Sequence, residues 1–313
     1  MTAFPIPALL AETARRQPEV AAWIADLPGI VAQLAERWSL HVGEPFQPGG
    51  FCSWTAPVAT LAGSEAADRG GMAAGDELVL KVGFPFDSGE QRDEAAALRI
   101  WDGDGAIRVY GSVETPTATA LLLERCVPGS RLRDVLPEPA RDVVVADMLR
   151  RLWARASAAP ADSGWPFRPL TEMCDPWADR FWRDYAAADP ALRLDPGVAR
   201  DGITLFRELP RTADRTVLLC TDLHSENILA ARRAPWLVID PKPYLGDPAY
   251  DLLQHMINCD DRLDTDPAGL CDRMAKLAGV DPGRARLWLF ARAVQESVGS
   301  ALLREVAGRL APP

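Results

Sequence analysis

Two aspartates and one asparagine lie at the ends of short apolar runs in the segment from Cys220 to Lys242. Asp222 and Asn227 lie between two β-prone runs, and Asp240 follows a third run. We expect the second and third runs to pair as a hairpin with Asn227 opposite Asp240. Amide and carboxylate oxygens at short separation are hard ligands that suit Mg²⁺, which completes its coordination with water and phosphate oxygens. The segment therefore predicts a Mg²⁺ site at the open end of a hairpin, with Asn227 and Asp240 as the metal ligands.

Asp222 lies five residues before Asn227. Because it is not one of the predicted metal ligands, its carboxylate can contact a substrate hydroxyl. Phosphoryl transfer needs little more than a metal site and such a base, because positioning and charge stabilisation supply most of the rate. The pattern favours phosphoryl transfer, with Asp222 as the catalytic base or the group that orients the hydroxyl. Two structural alternatives stay open: a turn residue at Asp222 and a strand cap at Asn227.

The elements that must position these residues change in type along the chain. Between residues 7 and 40, apolar residues at spacings near three and four predict two or three helices at the start of the N-terminal lobe. Between residues 42 and 124, short β-prone runs predict a small antiparallel sheet, interrupted by one helix for which Ser88 is the expected N-cap. The predicted strands are WTAPVATL, ELVLKV, IRVY and ATALLLE. After Glu124 helical spacing dominates, and the predicted helices span residues 142–158, 174–188, 198–209, 250–259, 270–278 and 284–310. We expect two lobes, at residues 1–125 and 126–313.

Composition excludes several other classes of protein. The chain has 313 residues, 48% of them hydrophobic, which is enough for a folded core throughout. The net charge is −10 and no dense Lys/Arg cluster is present, which argues against nucleic acid as a partner. The six cysteines form no CxxC pair, so neither zinc nor a disulfide framework is indicated. No apolar run approaches the roughly 20 residues of a membrane span, so we expect a cytoplasmic protein that does not bind membranes, either a monomer or a homodimer.

The spacing D-x-x-x-x-N, followed by an Asp after a short hairpin, resembles the catalytic loop and metal-binding Asp of the protein-kinase-like superfamily. The stretch DLHSENILAARRAPWLVIDPKPYLGDPAYDL is similar to the aminoglycoside phosphotransferase family, in its streptomycin 6-phosphotransferase and hydroxyurea phosphotransferase branch. The resemblance implies an α+β, bilobal protein-kinase-like fold with a small antiparallel-sheet N-terminal lobe and a larger, mainly helical C-terminal lobe. It also implies ATP as the phosphate donor, with GTP as an alternative. The chain departs from the family at Cys220, where relatives usually carry a histidine that supports the loop.

Further residues follow from this resemblance. Lys81 ends the LVLK run and is one of only three lysines in the chain, with Lys242 and Lys276. The resemblance implies that Lys81 binds nucleotide phosphates and pairs with Glu94 on the next helix, with an exposed edge lysine as the alternative. Lys242 receives no role from the sequence.

Glycines and backbone groups are expected to form the rest of the nucleotide site. Gly49 and Gly50 would let backbone N–H groups approach the phosphates, although a plain Gly-Gly turn is the alternative. Adenine is expected to meet backbone groups from Glu124 to Cys126.

Three residues of the motif are interpreted as structural. Gly-Asp-Pro at Asp247 is typical of a helix N-cap with proline at the first helical position. Asp251 is expected to brace the catalytic loop, and His224 to hydrogen-bond locally.

The family's substrates suggest a small-molecule acceptor that is cationic and is held by acidic side chains. Asp260, Asp261, Asp175 and Asp179 are the candidates, with a solvated charge run as the alternative for the first two. Three functions therefore remain: an antibiotic-resistance O-phosphotransferase acting on streptomycin or a related aminocyclitol; a metabolic kinase for a sugar, amino sugar or hydroxyurea-like compound; and a nucleotide-binding pseudokinase that serves as an interaction module.

Overall fold

The computed structural model of the chain describes residues 4–61, 77–85, 90–157 and 167–311. The expected N-cap Ser88 lies outside these residues. The chain forms two compact units: unit 1 comprises residues 1–129 and 230–235, and unit 2 comprises residues 130–229 and 236–313. No helix in the described ranges is both long and apolar enough to cross a membrane.

Unit 1 is built on a five-stranded antiparallel sheet of order β1-β2-β3-β5-β4. Its elements are α1 (Ala8–Arg16), α2 (Pro18–Trp38), β1 (Leu40–Val42), β2 (Ser53–Thr60), β3 (Leu78–Gly83), α3 (Glu90–Trp101), β4 (Val109–Thr115) and β5 (Ala118–Glu124), and β6 (Pro128–Arg131) leads out of the unit. The mixture of helix and antiparallel sheet confirms the predicted α+β class. The run IRVY was predicted as a strand, but β4 begins at Val109, and Ile107 is buried outside it.

The core of unit 1 lies between α2 and one face of the sheet. Apolar residues of α2 recur every three or four positions, which puts Trp23, Leu27 and Trp38 on one buried stripe. Alternation along β3 turns Leu80 toward this core. The same alternation turns Lys81 to the opposite face of the strand.

Unit 2 is mainly helical with short strands. Its elements are α4 (Leu132–Val135), α5 (Glu138–Ser157), α6 (Thr171–Ala187), α7 (Pro196–Glu208), β7 (Val217–Leu219), β8 (Ile228–Ala231), β9 (Leu237–Val238), β10 (Tyr244–Gly246), α8 (Leu253–Met256), α9 (Asp260–Thr265), α10 (Pro267–Ala278), α11 (Pro282–Glu296) and α12 (Ala301–Leu310). The prediction of a single helix over residues 284–310 is wrong, because α11 ends at Glu296 and a separate helix, α12, begins at Ala301. Ser300 caps α12 by accepting a hydrogen bond from the Leu303 N–H at 3.2 Å, so a new helix starts there.

A buried carboxylate joins four helices of unit 2. Asp142 on α5 accepts hydrogen bonds from His255 Nε2 at 2.9 Å, from both terminal nitrogens of Arg262 at 2.9 and 2.8 Å, and from Arg273 Nε at 2.7 Å. Burial alone would raise the pKa of Asp142, but the bonds from His255, Arg262 and Arg273 outweigh it and hold this pKa well below its ordinary range. The ionised carboxylate therefore stabilises the packing of α5 against α8, α9 and α10.

Asp142→Asn is expected to lower the free energy of unfolding by about 2–4 kcal/mol at pH 7, somewhat less than for a fully buried pair because Arg262 and Arg273 are partly exposed. A depressed pKa contributes stability that is present above the unfolded pKa of about 3.9 and is lost as the pH falls below it. Urea denaturation should thus give a constant difference between wild type and variant from pH 7 to about pH 4, and a shrinking difference below. Asp147→Asn, at an exposed position of α5, is the control and should change stability by less than about 0.5 kcal/mol. An equal effect of both variants would contradict the role of the cluster.

Candidate active site

The predicted catalytic loop leaves the end of β7, which pairs antiparallel with β10. Asp222 is partly exposed just beyond this strand, and its backbone N–H donates to the Cys220 carbonyl at 2.8 Å. Thr221 has a φ of 51°, in the left-handed region that non-glycine residues rarely adopt. Such a conformation persists only where neighbouring contacts hold it.

Asp251 supplies those contacts, as the sequence predicts. Its buried carboxylate accepts the N–H of Cys220 at 3.1 Å, the N–H of Thr221 at 2.7 Å and the indole N–H of Trp153 at 2.8 Å. Burial raises the pKa of Asp251 to about 6, and these N–H donors oppose a further rise. Asp251 is thus a positioning residue for the backbone that presents Asp222.

The hairpin after the loop is present, but its predicted register is wrong by one residue. Ile228 pairs with Val238, and the Ile239 N–H donates to the Asn227 carbonyl at 2.9 Å, so Asn227 lies opposite Ile239 rather than Asp240. A shift of one residue would turn the next side chain to the other face of a regular strand. Asp240, however, has a φ of 50°, so the direction of its side chain does not follow strand alternation.

The donor set of this hairpin fits a divalent cation. Asn227 Nδ2 donates to the Asp222 carbonyl at 3.0 Å, which leaves the amide oxygen as the group available for a metal. Asp240 offers a half-exposed carboxylate. No group of three or more His, Cys, Asp or Glu side chains suited to a metal occurs in the described part of the chain. Mg²⁺ requires no such group, because it commonly binds one or two protein carboxylates and takes its other ligands from water and phosphate.

His224 differs from its expected role, whereas Cys220 holds the loop through its backbone. His224 was expected to hydrogen-bond locally, but within the described residues its Nδ1 has no partner, and its Nε2 is 3.9 Å from Asp222 Oδ1, too far for a hydrogen bond. Burial lowers the pKa of His224 to about 4, so its ring is neutral at pH 7. Cys220 is fully buried, and its N–H and carbonyl form the hydrogen bonds that hold the loop. The loop is therefore braced through the Cys220 backbone.

The ion pair implied for unit 1 is present. Lys81 Nζ lies 2.6 Å from Glu94 Oε2, and the side chains are only 10% and 2% exposed. The exposed-edge alternative for Lys81 is therefore excluded. Because β3 carries its larger apolar residues on the other face, the pair occupies the face of the sheet that contacts α3.

Glu124 ends β5 and Cys126 follows it by two residues, as predicted, and the Glu124 side chain forms contacts within unit 1. The Glu124 carboxylate accepts Arg233 Nε at 2.8 Å, a second Arg233 nitrogen at 2.9 Å and the Arg108 N–H at 3.0 Å. No role for Arg233 follows from the sequence. Burial, and then Glu124, raise the pKa of the Cys126 thiol to about 12. The Cys126 N–H makes no hydrogen bond within the described residues, which leaves it available to a ligand.

Gly49 and Gly50 lie in the loop before β2. Gly49 has a φ of 78°, and a Cβ atom there would lie 2.4 Å from the Pro7 Cβ. This packing by itself explains a glycine at that position. A phosphate-binding role for Gly49 and Gly50 stays a prediction.

The four acidic candidates for a cationic substrate differ in their surroundings. Asp175 pairs with both terminal nitrogens of Arg211, at 3.2 and 2.6 Å, and Asp179 pairs with Arg207 at 2.6 Å. These two carboxylates are already neutralised by arginines. Asp260 and Asp261 are exposed in the first turn of α9, and neither has an ion-pair partner among the residues the structure describes.

Asp247, interpreted as a helix cap, is structural. It accepts the Ala249 N–H at 3.0 Å at the start of the 3₁₀ turn Tyr250–Leu252 and the Trp288 indole N–H at 2.7 Å, and Arg284 also donates to it. Every acceptor oxygen of this buried carboxylate therefore serves the fold.

The known sequences that are similar to this chain are small-molecule kinases. A family model described as aminoglycoside/hydroxyurea antibiotic resistance kinase matches residues 55–302. The hydroxyurea phosphotransferase of Kitasatospora aureofaciens is 35% identical, over 96% of this chain and 82% of that protein. The streptomycin 6-kinase of Streptomyces glaucescens is 33% identical, over 93% of this chain and 90% of that protein.

Solved structures show the same fold at low identity. A thermostable mutant of an aminoglycoside phosphotransferase, in ternary complex with ADP and hygromycin B, superimposes with a TM-score of 0.58 at 16% identity, covering 90% of this chain and 97% of that one. A choline kinase from Cryptosporidium parvum gives a TM-score of 0.56 at 11% identity, covering 90% and 93%. The predicted protein-kinase-like fold is confirmed.

Proposed function

Because this chain belongs to the aminoglycoside/hydroxyurea antibiotic resistance kinase family and is a small-molecule phosphotransferase, we propose that it transfers the γ-phosphate of ATP to a hydroxyl group of an aminocyclitol antibiotic. The observation that carries the proposal is the short segment of loop and hairpin that contains Asp222, Asn227 and Asp240 and whose backbone is braced by Asp251 and Asn227. Enzyme relatives over more than nine-tenths of the chain favour this function over the interaction-module alternative.

In the proposed reaction the acceptor hydroxyl oxygen forms a bond to the γ-phosphorus, the bond from that phosphorus to the ADP oxygen breaks, and Asp222 takes the hydroxyl proton. The Asp222 carboxylate suits this role because it is partly exposed on a backbone held by Asp251. Asn227 and Asp240 would hold Mg²⁺, which neutralises charge on the phosphate oxygens.

The nucleotide would be bound by unit 1. Lys81, oriented by Glu94, would contact the phosphates, and the available N–H of Cys126 would donate a hydrogen bond to an adenine ring nitrogen. The relative solved with ADP has the same fold, which is compatible with ATP as the donor.

Lys81→Met is expected to lower kcat/KM for ATP by about 10²-fold or more and also to destabilise unit 1 by about 3–5 kcal/mol, because it leaves the Glu94 carboxylate buried without its cation. The double variant Lys81→Met/Glu94→Gln removes that buried charge and should recover most of the stability without recovering turnover. Thermal unfolding and steady-state kinetics on the three proteins separate the two effects. Recovery of turnover in the double variant would show that Lys81 acts only on stability.

The acceptor would be selected by acidic side chains of unit 2. Asp260 and Asp261 are the acidic candidates that have no arginine partner within the described residues, and they would attract a cationic aminocyclitol. A hydroxyurea-like acceptor is the second candidate, because the hydroxyurea phosphotransferase is 35% identical and because arginines neutralise Asp175 and Asp179.

ADP release by the purified protein, measured with streptomycin, other aminoglycosides, sugars and hydroxyurea, tests the proposal. Turnover with streptomycin and a raised KM for it in Asp260→Asn/Asp261→Asn would support the cationic acceptor. Turnover with hydroxyurea that is unaffected by the same double variant would favour the second candidate. If no acceptor stimulates ADP release above the Asp222→Asn variant, the proposed function fails.

A further inference from the structure

Lys242 is one of three lysines in a chain that otherwise uses arginine as its cation, and it follows the proposed metal ligand Asp240 by two residues. Its Nζ is 2.8 Å from Asp240 Oδ1, and the two side chains are 32% and 38% exposed. A cation bound to a metal ligand competes with the metal. Since so exposed a pair contributes little to stability, its position calls for another explanation.

The backbone at Lys242 is held rigidly at the base of the catalytic loop. Its N–H donates to the Cys220 carbonyl at 2.9 Å, and its carbonyl accepts the Thr221 hydroxyl. Pro241 and Pro243 flank it and are buried. The starting point of the side chain is therefore fixed relative to Asp222 and Asp240, while its four-carbon stem stays flexible.

We propose that Lys242 is an exchangeable cation of the catalytic site, which neutralises Asp240 before Mg²⁺ and ATP bind and then donates to an oxygen of the transferred phosphate. This inference rests on the proposed function, specifically on Asp240 as a metal ligand. Breaking the exposed pair costs little, so the ammonium group leaves Asp240 readily when a divalent cation takes the carboxylate. A lysine suits the task because its ammonium group is a compact point charge on a mobile stem, whereas an arginine at the same place would favour a fixed two-point contact with the carboxylate.

Removing the Lys242 charge should affect metal binding and turnover in opposite directions. Lys242→Met keeps most of the stem but removes the competitor, so Mn²⁺ should bind the protein–ADP complex about 3–10-fold more tightly. The same variant lacks the cation at the transferred phosphate, so kcat should fall by about 10²-fold. A purely structural lysine would instead lower metal affinity and kcat together, with a lower melting temperature.

Mn²⁺ titration of the ADP complex, followed by electron paramagnetic resonance, measures the first effect without turnover, and steady-state kinetics measures the second. Lys242→Arg should bind Mn²⁺ no more tightly than wild type, because arginine holds the carboxylate at two points, and it should recover only part of kcat. Lys276→Met, an exposed lysine on α10, is the control and should match wild type in both measurements.

Unchanged or weakened Mn²⁺ binding in Lys242→Met, or unchanged kcat, would overturn the proposal. Failure of the proposed function gives a different pattern. If Asp240 is not a metal ligand, Asp240→Ala would bind Mn²⁺ as tightly as wild type. If the protein is not a phosphotransferase for these acceptors, wild type would show no turnover, while the effect of Lys242→Met on Mn²⁺ binding could still be measured.

Discussion

Replacing Asp222 by asparagine is expected to lower kcat for phosphoryl transfer by about 10²–10⁴-fold, with the fold and nucleotide binding intact. Asparagine keeps the size of the side chain but cannot take the hydroxyl proton. The hydrogen bond from Asn227 goes to the backbone carbonyl of Asp222, so the substitution does not remove it. Asp251 likewise holds the loop through backbone N–H groups of Cys220 and Thr221.

The matched control is Asp201→Asn on an exposed position of α7, which should have wild-type kinetics. ADP binding by calorimetry and the melting temperature should be the same for Asp222→Asn, Asp201→Asn and wild type. If Asp222→Asn keeps kcat within about tenfold of wild type, Asp222 is not the base of the reaction.

Asp240→Ala is expected to abolish Mg²⁺-dependent turnover, with a fall in kcat of about 10³-fold or more, because the metal supplies several kcal/mol of charge stabilisation in the transition state. Mn²⁺ binding to the ADP complex should weaken in parallel. The fold should tolerate the change, since the pair with Lys242 is exposed and worth little.

Asp214→Ala, an exposed aspartate in the loop before β7, serves as the comparison and should change neither measurement. A second comparison is Asn227→Ala, which removes the other proposed ligand and should weaken Mn²⁺ binding as well. Undiminished Mn²⁺ binding in Asp240→Ala would remove Asp240 from the metal site.

Local pattern was sufficient to predict much of unit 1. Short apolar, β-prone runs separated by Gly, Pro and Asp located β2, β3 and β5, because such runs between turn residues favour strands through local propensity alone. Helical spacing likewise located α2, whose apolar stripe needs a surface to cover. The ends of elements were less predictable. The break between α11 and α12 depends on one serine cap, which a periodicity extending across it conceals.

The partners of Asp251 in the loop and the ion pair at Glu124 required the tertiary structure. Asp251 and Trp153 are far from Thr221 in sequence, and only the packing of unit 2 brings them to the loop. Arg233 reaches Glu124 across more than one hundred residues for the same reason. No local pattern predicts such contacts, because they depend on how separate elements pack.

The segment from Cys220 to Lys242 shows most clearly which features are set by local sequence and which by tertiary contacts. Its sequence by itself determined which polar side chains follow the strands and in what order, because chain order and strand propensity are local properties. The tertiary structure decided the hairpin register, the left-handed backbone of Asp240 and the position of Lys242 against it. Register and backbone strain are set by contacts with the surrounding fold, and a one-residue shift in pairing carries almost no signal in the residues themselves.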